Sequence, residues 1–77
     1  MHIEHIASGE TVATVTQAAG DFEAAKAQAL RIALSVCPAG RKPVWCGPRN
    51  WADGALGGWD VPSADGDWGA EVVCIYP

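Results

Sequence analysis

The clearest pattern of apolar and polar positions is helical and lies between Gly20 and Pro38. Apolar residues recur there at intervals of three and four, which is typical of one face of a helix. This stripe consists of Phe22, Ala25, Ala29, Ile32, Ala33 and Val36, and it is widened by Leu30, Leu34 and Cys37. Asp21 can accept hydrogen bonds from the free N–H groups of the first turn. Because Pro38 cannot continue a helix, the pattern predicts one helix that ends before it.

Strand-like runs flank this helix. Residues 2–7 and 11–17 are rich in β-branched side chains and are separated by a short segment with a glycine, which predicts a β-hairpin. Ile3 and Ile6 lie three positions apart and so fall on opposite faces of a regular strand. Their spacing indicates either a bulge or partial cover on both faces. Residues 43–47 predict a short strand that begins at a proline, and the nearly continuous apolar run 71–76 predicts a central strand.

Residues 47–70 show no clear period and contain six of the nine glycines. They predict a long loop, in which three tryptophans argue against full disorder. The resulting fold class is α+β, with the order ββαββ and a four-stranded, mainly antiparallel sheet that carries one helix on one face. The other face is expected to be covered by the tryptophan-bearing loop or by a second copy. All 77 residues, 1–77, are predicted to form one domain.

The charge balance limits the possible partners. The chain has 9 acidic and 5 basic residues and a formal net charge of -4, which disfavours direct binding to nucleic acid or to an anionic membrane. All basic residues lie between positions 26 and 49, with no acidic residue among them, and an aspartate-rich segment follows. A protein partner is therefore expected. No charged leader and no apolar run of about 18 residues is present, which predicts a cytoplasmic location.

The sequence shows no nucleophile–base pair and no metal-ligand spacing. His2 and His5 are expected to be exposed near the terminus, and Asp65-Gly66-Asp67 lacks the rest of a calcium-loop pattern. We therefore predict no enzymatic activity, no metal and no cofactor, although a hydrolytic carboxylate pair stays open among the aspartates. Cys37, Cys46 and Cys74 are predicted to be small buried thiols, with a Cys46–Cys74 disulfide as the alternative if their strands pair under oxidising conditions.

Tryptophans are the best candidates for contacts with a partner. Trp45 lies on a predicted strand and is expected in the core. The tryptophans of the loop either pin it to the sheet or anchor an interface, because tryptophan is enriched at the centres of interfaces. Together with the charges around them they define the candidate partner-binding residues: Arg41, Lys42, Arg49, Trp51, Asp53, Trp59, Asp60, Asp65, Asp67 and Trp68.

Three features carry a resemblance to a known class: the hairpin HIEHIASGETVATVTQ, the alanine-rich helix FEAAKAQALRIALSV and the short C-terminal strands. In size, element order and composition they resemble small type I anti-CRISPR proteins of phages and prophages. The resemblance implies a monomer or homodimer in the host bacterial cytoplasm. It further implies binding to a Cas subunit of the type I CRISPR surveillance complex (Cascade) and inhibition of target-DNA binding by protein–protein contact. The alternative is a small dimeric structural or regulatory interaction module, of phage or bacterial origin, without catalytic activity.

Overall fold

The protein folds into one antiparallel sheet with one helix across it. The computed structural model describes residues 1–16, 20–47, 54–69 and 71–77. Its elements, in chain order, are β1 (His2–Ala7), β2 (Glu10–Val15), α1 (Phe22–Val36), β3 (Val44–Cys46), β4 (Gly57–Val61) and β5 (Glu71–Tyr76). The sheet has the order β2-β1-β5-β4-β3, and every neighbouring pair is antiparallel. The predicted α+β class is confirmed. The predicted count of four strands is wrong, because the described residues form five and the order is ββαβββ.

Helix α1 begins where the sequence predicts. The Asp21 carboxylate accepts the Ala24 N–H at 2.8 Å, which satisfies one of the free donors of the first turn. Ala25, Ala29 and Ala33 are fully buried, and their small side chains let the helix lie close to the sheet. In the described chain, Cα atoms of α1 lie within 8 Å of Cα atoms in β5, β4 and β1, but not of any in β2. Phe22 and Lys26 of α1 also reach Trp45 of β3 through their side chains. Leu34 is 53% exposed, so the prediction that it widens the packed stripe is wrong.

The main core lies between α1 and the sheet. The alanines of the helix pack against Ile3, Val61, Val73 and Ile75. Residues of three adjacent strands therefore converge under one helix. β5 is the middle strand of the five, which confirms the central position predicted from its continuous apolar character.

The hairpin of β1 and β2 closes through Ser8 and Gly9, whose φ angles of 53° and 81° are both left-handed, as a type I′ turn requires. The pairing register shifts between His5 and Ile6, so Val12 has no partner in β1 and forms a bulge on β2. Ile3 packs on the helix face, whereas Ile6 packs on the opposite face. The unbroken register of β1 with β5 shows that β1 itself has no bulge. Of the two interpretations of the Ile3–Ile6 spacing, partial cover on both faces is therefore confirmed.

Strand β4 lies inside the segment that was predicted as one loop, and this prediction is wrong for Gly57–Val61. Gly57 and Gly58 lie on opposite faces of the strand and carry no side chains, so the sequence lacks the alternation that would identify a strand. A Cβ at Gly57 would lie 2.4 Å from Cζ2 of Trp45, and a Cβ at Gly58 would lie 3.3 Å from Sγ of Cys74. Each glycine therefore makes room for a larger neighbour.

The face opposite the helix is also covered in part. Val72 and Cys74 pack there with Ala55, and Ile6 and Tyr76 lie against them. Cys74 is fully buried and Val72 is 5% exposed, so the middle of this face is closed within the chain itself. Part of the tryptophan-bearing segment thus covers the second face, as one of the two predicted alternatives required.

All three cysteines are free thiols. Cys46 and Cys74 are both register partners of Gly58, so β4 lies between their strands. Two strand spacings amount to roughly 9–10 Å, which exceeds the Cα separation of a disulfide. The Cys46–Cys74 bridge is therefore wrong. The prediction of buried thiols is confirmed for Cys74 alone, because Cys37 and Cys46 are only partly buried.

Candidate functional site

A groove of about 300 Å³ lies at the β3–β4 end of the sheet, on the face opposite α1. It is lined by Val44, Cys46, Asp60 and Trp68, and we call it the Trp68 groove. Val44 and Asp60 are register partners, and Cys46 lies two residues further along β3. Because side chains alternate across a strand, these three share one face of the sheet.

The walls of the Trp68 groove combine apolar and acidic groups. Trp68 is 52% exposed and Val44 is 49% exposed, whereas Asp60 is only 7% exposed. The thiol of Cys46 donates to Oδ2 of Asp60 at 3.1 Å. A carboxylate is costly to bury without hydrogen-bond partners, so this contact helps to hold Asp60 in place. The groove therefore presents exposed apolar surface beside a buried acid.

Residues 63–67 form a turn that immediately precedes Trp68, and we call it the acidic turn. The N–H of Ser63 donates to the carbonyl of Asp67 at 2.8 Å, and the N–H of Gly66 donates to the carbonyl of Ser63 at 2.9 Å. The Ser63 hydroxyl accepts the Asp67 N–H at 3.1 Å. The side chains of Asp65 and Asp67 are exposed on this hydrogen-bonded turn. The turn thus fixes the backbone that carries two exposed carboxylates, directly before an exposed indole in the chain.

Arg41 crosses from the basic segment to the acidic turn. Its Nη2 donates to the carbonyl of Ala64 at 3.5 Å. Its guanidinium also occupies the space that a Cβ of Gly66 would take, with Nη1 3.2 Å from that position. The fold therefore joins the basic and acidic segments on one surface, and Arg41 supports the turn from one side. Lys42 follows it and is exposed.

Trp59 lies on the other face of the sheet. Its indole N–H donates to the carbonyl of Lys26 in α1 at 3.0 Å. Its ring meets Trp45 edge-on, with 5.2 Å between the centroids. The ammonium of Lys26 lies 4.5 Å from the centroid of the Trp45 ring, a cation–π distance. Trp59 and Trp45 therefore join the helix to the sheet, and the prediction that Trp45 packs with the core is confirmed.

The predicted partner-binding residues separate into three groups. The structure places five of them at the Trp68 groove and the acidic turn: Arg41, Asp60, Asp65, Asp67 and Trp68. It places Trp59 on the helix face and leaves Lys42 exposed. Arg49, Trp51 and Asp53 lie outside the described residues. Sequence reasoning missed Val44 and Cys46 as lining residues, although their alternation around Trp45 could have indicated a shared face.

The two histidines tie β1 to β5. His2 stacks on Tyr76 with 4.9 Å between the ring centroids, and its Nε2 lies 2.9 Å from Oε2 of Glu4. His5 Nε2 lies 2.6 Å from Oε1 of Glu71, and its side chain is only 12% exposed. The expectation of exposed terminal histidines is therefore wrong for His5, because the terminal strand β1 is paired on both sides.

The pKa values of two side chains, Glu4 and Cys74, are shifted, each for a different reason. The hydrogen bonds from His2 and then from Thr11 lower the pKa of Glu4, against a smaller opposing effect of burial. Burial raises the pKa of the Cys74 thiol to about 11. A buried thiol that stays protonated at neutral pH is a poor nucleophile. Cys74 therefore acts as a small core residue.

The described part of the chain shows neither a metal-binding cluster nor a membrane-spanning helix. Within those residues, no group of three or more His, Cys, Asp or Glu side chains is placed to hold a metal ion. The helix of this part is neither long nor apolar enough to cross a membrane. Comparisons of the chain with protein-family models, with curated proteins and with solved structures find no match.

Proposed function

We propose that this protein is a non-catalytic, protein-binding inhibitor of the anti-CRISPR kind. In this proposal it binds a Cas subunit of the type I surveillance complex in the bacterial cytoplasm and blocks target-DNA binding. The observation that carries the binding function is the half-exposed indole of Trp68, which lies beside the Trp68 groove and directly after the acidic turn. The resemblance in size and composition supports the choice of partner.

An exposed indole can supply much of the binding energy. A tryptophan side chain buries about 150–250 Å² when it is fully covered. With 52% of Trp68 still accessible, a partner can remove roughly 100 Å² from water. At about 25 cal/mol per Å², this burial contributes about 2.5 kcal/mol. That value lies within the range of an interface hot spot.

The charges around Trp68 favour a basic partner surface. Asp65 and Asp67 are exposed within three residues of the indole, and the whole chain has a net charge of -4. The path that target DNA takes through a surveillance complex has to be basic, since it binds phosphates. An acidic protein is attracted to such a path, and a protein bound there blocks the DNA.

The acidic turn is already organised for binding. Its internal hydrogen bonds fix the backbone between Ser63 and Asp67, and Arg41 packs against it. A surface that is ordered before association loses less conformational entropy on binding. The same side chain, Arg41, also keeps a positive charge at the edge of the acidic surface, which can help to set the orientation of the partner.

A target-DNA binding assay with purified Cascade tests the proposal. We expect the wild-type protein to abolish the DNA gel shift at a stoichiometric ratio. Trp68→Ala should weaken inhibition at least tenfold, and so should the double reversal Asp65→Lys with Asp67→Lys. The matched control is Glu10→Lys with Glu23→Lys, which changes two exposed acids by the same total charge on other surfaces.

Each arm of this experiment tests a different part of the proposal. If the wild-type protein neither binds Cascade nor inhibits DNA binding at micromolar concentrations, the CRISPR function is wrong. If it does inhibit but the Trp68 and acidic-turn variants inhibit as well as the control, the binding site is wrong. Far-UV circular dichroism shows whether each variant is folded.

A further inference from the structure

Strand β2 is largely exposed, and only Val15, at its end, packs against the main core. It is the first strand in the sheet order, and among the described residues it pairs only with β1. Five of its six residues are exposed, and the sixth, Val15, is partly buried. Within the described residues, no Cα atom of α1 lies within 8 Å of a Cα atom in β2. No described part of the chain pairs with the outer edge of β2, whose main-chain groups can therefore bind a further strand.

The two edges of the sheet differ in how well they are protected. β3, at the opposite edge, has only three residues. It follows Pro43, which has no N–H to donate to a further strand. Arg41 and Lys42 precede that proline, and their charges disfavour pairing with another edge strand. β2 reads ETVATV, with Glu10 as its only charge, and it contains no lysine or proline. Short length, a proline and nearby charges therefore protect the β3 edge from pairing with a further strand, whereas the β2 edge lacks these features.

We propose that the outer edge of β2 pairs antiparallel with the same edge of a second copy of this chain. The result is a symmetric dimer with one continuous ten-stranded sheet. The bulge at Val12 disturbs the first half of the edge, so the pairing is centred on Thr14, in the regular half. A two-fold axis there places Thr14 opposite Thr14 and Ala13 opposite Val15 of the other copy. A pair of threonines is a favourable neighbour combination across strands.

Self-pairing fits the charges and the shape of this edge. Glu10 lies four residues from the proposed axis, so the two Glu10 side chains would be roughly 27 Å apart along the strands. That separation exceeds the screening length of about 8 Å at physiological salt, and no like charges face each other. Since no Cα atom of α1 lies within 8 Å of one in β2, the two helices would also lie apart, on the same face of the joined sheet.

The dimer is expected to be weak and reversible. A pairing of a few residues buries much less surface than a standard interface. We therefore expect association over roughly 10 µM to 1 mM protein. This inference does not depend on the anti-CRISPR proposal, since β2 and the Trp68 groove lie at opposite edges of the sheet.

Sedimentation equilibrium of the full chain tests the pairing. We expect the mass to rise from 8.0 kDa towards twice that value as the concentration increases. Thr14→Lys and Thr14→Glu should each weaken self-association at least tenfold, because each places like charges opposite one another. An equimolar mixture of the two variants should restore the dimer. Leu34→Lys, at an exposed apolar position on the helix, is the control that should dimerise like the wild type.

Thr14 lies opposite Glu4 within the hairpin, so Thr14→Glu could disturb the fold itself. Thermal melts followed by circular dichroism check that both variants are folded before they are mixed. A wild-type protein that stays monomeric at 1 mM would overturn the inference. So would folded Thr14 variants that dimerise like the wild type, or a mixture that stays monomeric. None of these results alters the Cascade assay, so the two proposals can fail separately.

Discussion

Replacing Trp59 tests whether this side chain belongs to the core or to a binding surface. Its indole donates to the Lys26 carbonyl at 3.0 Å and packs against Trp45. Trp68, in contrast, is 52% exposed. We therefore expect truncation of Trp59 to reduce the stability of the protein and truncation of Trp68 to reduce its binding.

The structure suggests the size of the loss. Trp59→Ala leaves a cavity between α1 and β4, and such truncations cost about 3–5 kcal/mol. Trp59→Phe keeps most of the apolar contact but loses the hydrogen bond to Lys26, so about 1–2 kcal/mol is expected. A chain of 77 residues has a total stability of about 4–12 kcal/mol. The alanine variant should therefore be close to unfolding, and the phenylalanine variant should stay folded.

Urea denaturation followed by far-UV circular dichroism measures these differences without relying on tryptophan fluorescence. Trp68→Ala is the matched comparison. Nearly half of Trp68 is already buried in the fold, so at about 25 cal/mol per Å² its truncation should cost about 2 kcal/mol, less than that of Trp59. In a thermal melt, each 1 kcal/mol should lower the midpoint by about 4–8 °C. If Trp59→Ala costs less than Trp68→Ala, the assignment of Trp59 to the core is wrong.

Three further predictions follow from single contacts. Gly57→Ala should destabilise the protein by about 3 kcal/mol in urea, because its Cβ would lie 2.4 Å from Trp45; Gly47→Ala, which has open space around it, should be neutral, and equal effects would contradict the packing. Glu4→Gln should reduce the melting temperature at pH 7 but have little effect at pH 3. The lowered pKa of Glu4 means that its ionised form stabilises the fold above its ordinary value of 4.5, and this contribution is lost as pH falls through the lower folded value; a pH-independent difference would refute this. Finally, since the pKa of the Cys74 thiol is about 11, iodoacetamide at pH 8 should modify Cys74 only in denaturant. Mass spectrometry that finds Cys74 modified in the native protein would contradict this prediction.

Local chemistry explains which parts of the fold were predictable. The cap at Asp21, the stop near Pro38 and the turn at Ser8-Gly9 depend on residues close in sequence. The apolar run of β5 also identifies a central strand without any knowledge of its neighbours. These features specify the helix, the hairpin and the α+β class.

Strand β4 was not predictable by the same means. Gly57 and Gly58 carry no side chain that could show a period of two, and glycine is ordinarily depleted in strands. Their use becomes clear only when Trp45 and Cys74 are seen to fill the space above them. The missing signal is thus a packing requirement that other parts of the chain impose.

In the candidate site, too, some features follow from the local sequence and others from packing between distant residues. The sequence by itself determined a concentration of tryptophan, aspartate and glycine after the helix. It also determined that all basic residues lie between positions 26 and 49. Only the tertiary structure decided that Trp59 faces the helix, that Trp68 faces solvent, and that Arg41 packs against the acidic turn. The physical reason is that helix and turn signals are local, whereas the face and neighbours of a side chain depend on strand pairing between residues far apart in sequence.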